Sequence, residues 1–298
     1  MDKETTLEYL SFQKMFFLLV LMIITLLLFI YRLHFQPTVI VISEKQEPPP
    51  PPFLINIVYF ANLFVNPTHG ILLIKEQMKD LVATGLLDIA TLHIVLSVPI
   101  KFNPTIKQQV YECFLPSHKI LFHVNNEDCH EYPGIQLVHA LACANGSPNH
   151  YLLYFHSKGI TRFRGREREM VEKNLHRTVI AQWRHVLEIF EIHPQIDKVG
   201  STASTEGWIW WNYWWARASY VVRVEIPVKT ERRHYYKDWL SLVLVDPSRD
   251  DAYIQTHKNC WSLSSPQKHV GIGYTAKEAI FLIMNDPKNR NTKKQQRK

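Results

Sequence analysis

From Phe53 onward the chain alternates two patterns of apolar positions. Short runs rich in Val, Ile, Leu, Tyr and Phe occupy residues 56–61, 91–98, 119–124 and 151–156 and read as strands. Between them, residues 70–83, 104–114 and 131–144 carry apolar side chains three and four apart; in the last, Ile135, Val138, Leu141 and Ala142 share one helix face. A longer helix is predicted over residues 165–193, where Val171, Leu175, Val179, Trp183, Val186, Leu187 and Phe190 recur at helical spacing and Pro194 ends the run. Another helix is predicted over residues 230–245. Strands alternating with helices predict the α/β class: a Rossmann-like, mixed and mostly parallel sheet flanked by helices, with ligands at the carboxyl ends of its strands.

The segment before this body has a different pattern. Residues 15–31 contain no charge and no helix breaker, and at 1.5 Å per residue they reach about 25 Å, the lower limit for crossing a bilayer. They predict a transmembrane anchor after a short tail at 1–14. A cleaved signal peptide competes, but Arg32 and His34 follow where a small-residue cleavage site would stand. Flanking charges barely choose an orientation; the mass of chain beyond the span argues for a lumenal body. Residues 32–52 end in five consecutive prolines, a stiff stalk of polyproline II that cannot join a sheet. The globular domain is then 53–287 and the tail 288–298. A short span suits the thinner membranes of the endoplasmic reticulum or Golgi.

Composition sharpens this. Of 298 residues, 46% are hydrophobic and 20% charged, a balance that supports a real core and excludes a disordered or multispanning chain. The net charge of +7 comes mostly from the tail, where Lys288, Arg290, Lys293, Lys294, Arg297 and Lys298 stand without an acid. The body is nearly neutral, which argues against a nucleic-acid partner. No Gly-x-Gly-x-x-Gly, P-loop or Gly-x-Ser-x-Gly elbow is present. Cys113, Cys129, Cys143 and Cys260 form no zinc spacing; they read as core thiols or as disulfides of undetermined pairing. Asn145-Gly146-Ser147 is a glycosylation sequon followed by Pro148.

Three segments carry chemistry. The strand at 151–156 runs straight into His156-Ser157-Lys158-Gly159, so polar side chains stand at a strand exit. Trp208, Trp210, Trp211, Trp214 and Trp215 fall within eight residues, too many for one core stripe. Sugar C–H faces stack on such rings, while membrane contact and dense core packing remain the competing uses. Asp238 stands between Lys237 and Trp239, where a carboxylate beside aromatic surface can act as a base. Arg162, Arg164, Arg166 and Arg168 read as a solvated face paired with Glu167, Glu169 and Glu172.

Taken in order, His156-Ser157-Lys158-Gly159, Trp183-Arg184, Val199-Gly200, Asn212 to Ala216 (Asn-Tyr-Trp-Trp-Ala) with Tyr220, and Tyr235-Tyr236-Lys237-Asp238-Trp239-Leu240 resemble a group of GT-A-type glycosyltransferase-like proteins of bacteria, algae and large viruses. The resemblance covers about residues 56–261. It implies a GT-A-type domain that takes a nucleotide-sugar donor and transfers the sugar to a hydroxyl of a glycan or glycoprotein. Most GT-A enzymes hold a divalent metal on an Asp-x-Asp pair, and this chain has none. The resemblance therefore assigns the donor phosphates to His156, Ser157, Lys158 and Gly159 with Arg162 and His257, His269 being second choice for the late histidine. No metal ligand is assigned, and Mn2+ or Mg2+ is left open. Asp238 matches the family base, although the acid before it is replaced by Lys237. Trp211, Asn212, Trp214, Trp215 and Tyr220 are expected on the acceptor side. Glu131 matches an acidic position of the group, but an acid opening a helix has a structural reason of its own. Those departures keep a second reading open, a non-catalytic carbohydrate-binding protein on the same fold.

Overall fold

The computed structural model describes residues 53–64, 66–157, 166–232, 234–243, 258–265 and 272–285, with Met22 and Thr25 before them. The chain divides into two units, Met1–Pro50 and Pro51–Lys298. In the first only Met22 and Thr25 are described, both helical, so the anchor expected at 15–31 and the stalk lie outside the described residues. Among the described residues no helix is long and apolar enough to cross a membrane.

The second unit holds a seven-stranded sheet of order β3-β2-β1-β4-β6-β5-β7. Its strands are β1 (Leu54–Asn62), β2 (Thr91–Ser97), β3 (Lys119–Asn125), β4 (His150–His156), β5 (Lys198–Gly200), β6 (Trp214–Arg217) and β7 (Cys260–Ser262). β1 pairs in parallel with β2 and β4, β2 with β3, and β5 with β7, whereas β6 runs antiparallel to β4 and β5. The helices are α1 (Pro67–Ala83), α2 (Asn103–Tyr111), α3 (Tyr132–Ala144), α4 (Arg166–Leu175), α5 (Trp183–Ile192), α6 (Ala218–Val221), α7 (Tyr235–Asp238) and α8 (Ala276–Asn285). The four strands read from sequence are thus present, each within two residues of its expected ends.

β1 is buried on both faces, which is why it reads as a nearly unbroken apolar run. One face, with Ile57, Tyr59, Ile94 and Phe155, packs against Ile74 and Met78 of α1 and Val186 and Phe190 of α5. The other, with Val58, Phe60, Val95 and Tyr154, packs against Ile135, Val138 and Ala142 of α3. Gly134 lets α3 lie this close: a Cβ there would stand 2.9 Å from Phe60 Cβ and 3.1 Å from the Tyr154 ring. β3 ends the sheet and is partly exposed along its length.

Two predicted helices differ. The run at 165–193 is α4 and α5 separated by a wide π-type turn at His176–Ile180. The turn aims the Val179 carbonyl at the Trp215 indole, 2.9 Å away, while Trp183 donates to the Thr84 carbonyl at 3.0 Å, contacts one straight helix does not offer together. Over 230–243 only α7 and a 3-10 turn at Trp239–Ser241 form; residues 244–245 lie outside the description. Side chains take the backbone groups there: Tyr235 accepts from the Val228 amide and Tyr236 from the Thr230 amide, and the Trp239 indole donates to the Glu225 carbonyl. The four cysteines stand unpaired, Cys129 and Cys260 buried, Cys113 partly buried and Cys143 exposed.

Candidate active site

The chain leaves β1 for β2 and β3 on one side and returns to β4 on the other, so the sheet switches direction between β1 and β4. Ligands of open α/β sheets bind in the crevice outside such carboxyl ends. At the β1 end, Asn62 donates to Asp128 at 2.6 Å, and the Asn66 side chain caps α1 by accepting from the His69 amide at 3.1 Å. At the β4 end stand His156, half-buried, and Ser157, buried; the Ser157 amide donates to the Phe60 carbonyl at 2.8 Å and extends the pairing past the strand.

His156 is the junction with the second half of the molecule. Its Nε2 donates to the Trp211 carbonyl at 3.1 Å, and its own carbonyl accepts from the Tyr213 hydroxyl at 2.9 Å. Trp211 and Asn212 have φ of 71° and 55°, two consecutive non-glycine residues in the left-handed region. Such conformations cost about 1–3 kcal/mol each and persist only where the surroundings hold them. Here the holding is visible: the Asn212 amide donates to Glu131 at 2.7 Å and to the Tyr236 carbonyl at 3.1 Å, and Tyr154 donates to the same Glu131 oxygen at 3.1 Å. Glu131, at the N-cap of α3, is therefore a positioning group for the strained turn, a role its sequence position alone did not reveal.

Asp238 ends α7, which the Tyr236–Asn212 bond docks onto this turn. It is half-exposed; burial raises its carboxyl above the usual range, Glu206 adds to the rise, and His234, Lys237 and Arg232 pull it back. A second network lies on the other face. Tyr59 donates to Gln77 at 2.6 Å, and the Gln77 amide reaches the Tyr213 hydroxyl at 3.3 Å and the Glu172 carboxylate. Burial pushes Glu172 up to about 7, with Glu76 and Asp80 adding to it. Glu172 was expected to pair with the arginine run on a solvated face; it turns inward instead, and α-helical periodicity gave no sign of the glutamine that would receive it.

The other expected residues divide clearly. Lys158, Gly159, Arg162 and both late histidines, His257 and His269, lie outside the described residues. Trp211 is partly exposed, and its backbone carbonyl is the one that bonds His156. Trp214, Trp215 and Tyr220 correct the expectation: all are at most 1% exposed. The two indoles fill opposite faces of β6, and the Tyr220 hydroxyl donates to the Leu240 carbonyl at 2.7 Å while accepting from Lys198 at 2.9 Å. Asn212 is likewise buried and acts as a strut, its amide spent within the protein.

No family model matches the chain, and no curated protein matches it. Two solved structures with similarity are a mannosyltransferase from Pyrobaculum calidifontis in complex with GDP-Man and Mn2+, at 10% identity and TM-score 0.37 over 68% of this chain and 58% of that one, and core-mannan synthase A from Aspergillus fumigatus in its Mn/GDP form, at 11% identity and TM-score 0.27 over 63% of each. The chain thus spans about six tenths of the length of either.

Proposed function

We propose that this protein is a glycosyltransferase of GT-A type, anchored through residues 15–31 in the Golgi or endoplasmic-reticulum membrane, that moves a sugar from a nucleotide-sugar donor to a hydroxyl of a glycan or glycoprotein. The observation that carries this reading is the bond between His156 and the Trp211 carbonyl. His156, which opens His-Ser-Lys-Gly, bonds the carbonyl of Trp211, the residue before Asn-x-Trp-Trp-Ala, and the Tyr213 hydroxyl within that motif, at the strand ends where open α/β sheets bind ligands.

In this reading Lys158, aided by Arg162 and His156, receives the negative charge of the leaving diphosphate, since the chemistry requires cationic or hydrogen-bonding groups where charge develops. Asp238 takes the proton of the acceptor hydroxyl as its oxygen attacks the anomeric carbon. The bond from that carbon to the donor phosphate oxygen breaks, and the nucleotide leaves with the electron pair. Trp211 offers a ring face to the acceptor. Among the described residues no group of three or more His, Cys, Asp or Glu side chains is placed to hold a metal ion, so no step is assigned to one.

Calorimetry on the full chain with UDP and GDP, with and without manganese, tests the donor site. Binding that ignores manganese and is lost in Lys158→Ala supports the assignment; binding only with manganese removes Lys158 from its role. Asp238→Asn should retain nucleotide binding and lower turnover by about 10²–10⁴-fold. A Lys158→Ala, Asp238→Asn double variant that turns over normally would sink the site.

A further inference from the structure

A groove of about 380 Å³ opens between the edge strand β3 and α3, and none of His156, Ser157, Trp211 or Asn212 lines it. The groove adjoins the crevice on its β3 side: Glu127 and Cys129 flank Asp128, which accepts from Asn62 at the β1 end, and Tyr132 follows Glu131. Its volume falls within the range of small-ligand sites. Val95, Pro133, Leu137 and Ala140 contribute apolar groups to its lining. At its mouth Lys229 is paired with Glu127, so the entrance carries no net charge.

The polar wall is fixed by a chain of hydrogen bonds whose direction can be worked out from one end. His150 Nδ1 donates to the Asn145 carbonyl at 2.6 Å, since a carbonyl only accepts. A neutral His150 then accepts at Nε2 from the Asn56 amide at 2.8 Å, which leaves Asn56 Oδ1 to accept from His93 Nε2 at 3.0 Å. His93 Nδ1 must in turn accept from His123 Nε2, 3.1 Å away. Burial lowers all three imidazoles, His93 to about 4, so each is neutral at pH 7. His123, a lining residue, is left with Nδ1 as an acceptor. Asn125 spends its amide on Ser97, the Glu127 carbonyl and Cys129 Sγ, at 3.2, 2.6 and 3.3 Å, and keeps its oxygen. Gln136 and Tyr132 add polar side chains to the lining.

We infer that this groove is a second ligand site that takes an uncharged, hydroxyl-rich ring, a hexopyranose unit, with its C–H face on Leu137 and its hydroxyl protons on His123, Asn125 and Gln136. An anion would meet lone pairs and a lysine already paired; for a cation the one carboxylate of the lining, Glu127, is already paired with Lys229. A polyol supplies both the protons this wall accepts and an apolar face for the floor.

The test uses the full chain in detergent, with calorimetry or saturation-transfer NMR against methyl α-D-manno-, gluco- and galactopyranoside, and uridine and guanosine as rivals. At least one hexoside should bind. Ala140→Trp, from an exposed position of α3 that lines the groove, should weaken it about ten-fold or more, and Gln136→Ala about three-fold, with UDP and GDP binding unchanged. Unchanged nucleotide binding and thermal midpoint show that the variants fold and separate this site from the donor site, whose success or failure is read in the same samples. No hexoside binding at high concentration, hexoside binding indifferent to both variants, or a groove that binds uridine or guanosine in place of hexosides would each overturn the inference.

Discussion

Strands β1, β2 and β4 are nine, seven and seven residues long, pair in register along their whole length and bury nearly every side chain, whereas β5, β6 and β7 have only three, four and three residues. The short half compensates with buried polar bolts. Arg217, 7% exposed at the end of β6, donates to the carbonyls of Ile196 at 2.8 Å, Pro148 at 3.1 Å and Phe190, and its guanidinium packs over the Phe190 and Tyr151 rings. Lys198, fully buried in β5, donates to the Gly207 carbonyl at 2.7 Å and to Tyr220. The lesson is that one sheet is assembled by two means: non-directional apolar burial where strands are long, and directional hydrogen bonds where they are too short to bury enough.

The largest expected effect breaks that contrast directly. Arg217→Met leaves three carbonyls without their donor, and should cost about 3–5 kcal/mol in urea unfolding. Ile57→Val, in the fully buried β1, removes one methylene and should cost about 1 kcal/mol. Equal costs would show that the short half is also held chiefly by apolar contact.

The long half carries a polar seam, the chain His123–His93–Asn56–His150 across β3, β2, β1 and β4, and it should make this half acid-sensitive. His93 titrates near 4 when folded because burial disfavours its charged form, with His123 adding to the effect. The unfolded chain, with a pKa near 6.5, binds the proton first, so stability is fully present above about 6.5 and falls as pH drops toward 4, by about 2–3 kcal/mol from this group. His93→Gln should flatten that slope between pH 7 and 4.5, with His150 and His123 retaining part of it. An unchanged slope would place the acid sensitivity elsewhere.

How much could be read from sequence follows the same division. β1, β2, β3 and β4 and the helices between them were legible because burial of whole elements writes itself as periodicity in the residues that line them. β6 was not, since Trp214 and Trp215 face opposite sides and look like a groove-lining cluster until the core on both faces is known. The His156 exit was legible as a polar turn after an apolar strand. Its partners were not: Glu131, Asn212 and Gln77 act through contacts between residues 81 and 95 positions apart, and no local spacing encodes them. The turn at Trp211 and Asn212 has no glycine to announce its left-handed backbone.

The smallest effect tests the seam where the halves join. Glu172 of α4 is linked through Gln77 of α1 to Tyr59 of β1 and to Tyr213, which donates to the His156 carbonyl. Its carboxyl, raised by burial to about 7, holds a proton in the folded chain between about 4.5 and 7 that the unfolded chain releases. Stability from this group is therefore greatest below 4.5 and declines as pH rises through 7, opposite in sign to His93. Glu172→Gln keeps an oxygen for the Gln77 amide while removing the titration, so the variant should lose the decline and gain about 1 kcal/mol over the parent at pH 8, after allowance for solvent screening. Urea midpoints at pH 5 and 8 read the difference. A variant that instead falls at both pH values would mean that the charge itself holds Gln77, and that the two halves meet through an ionic contact and not through the neutral chain of hydrogen bonds leading to His156.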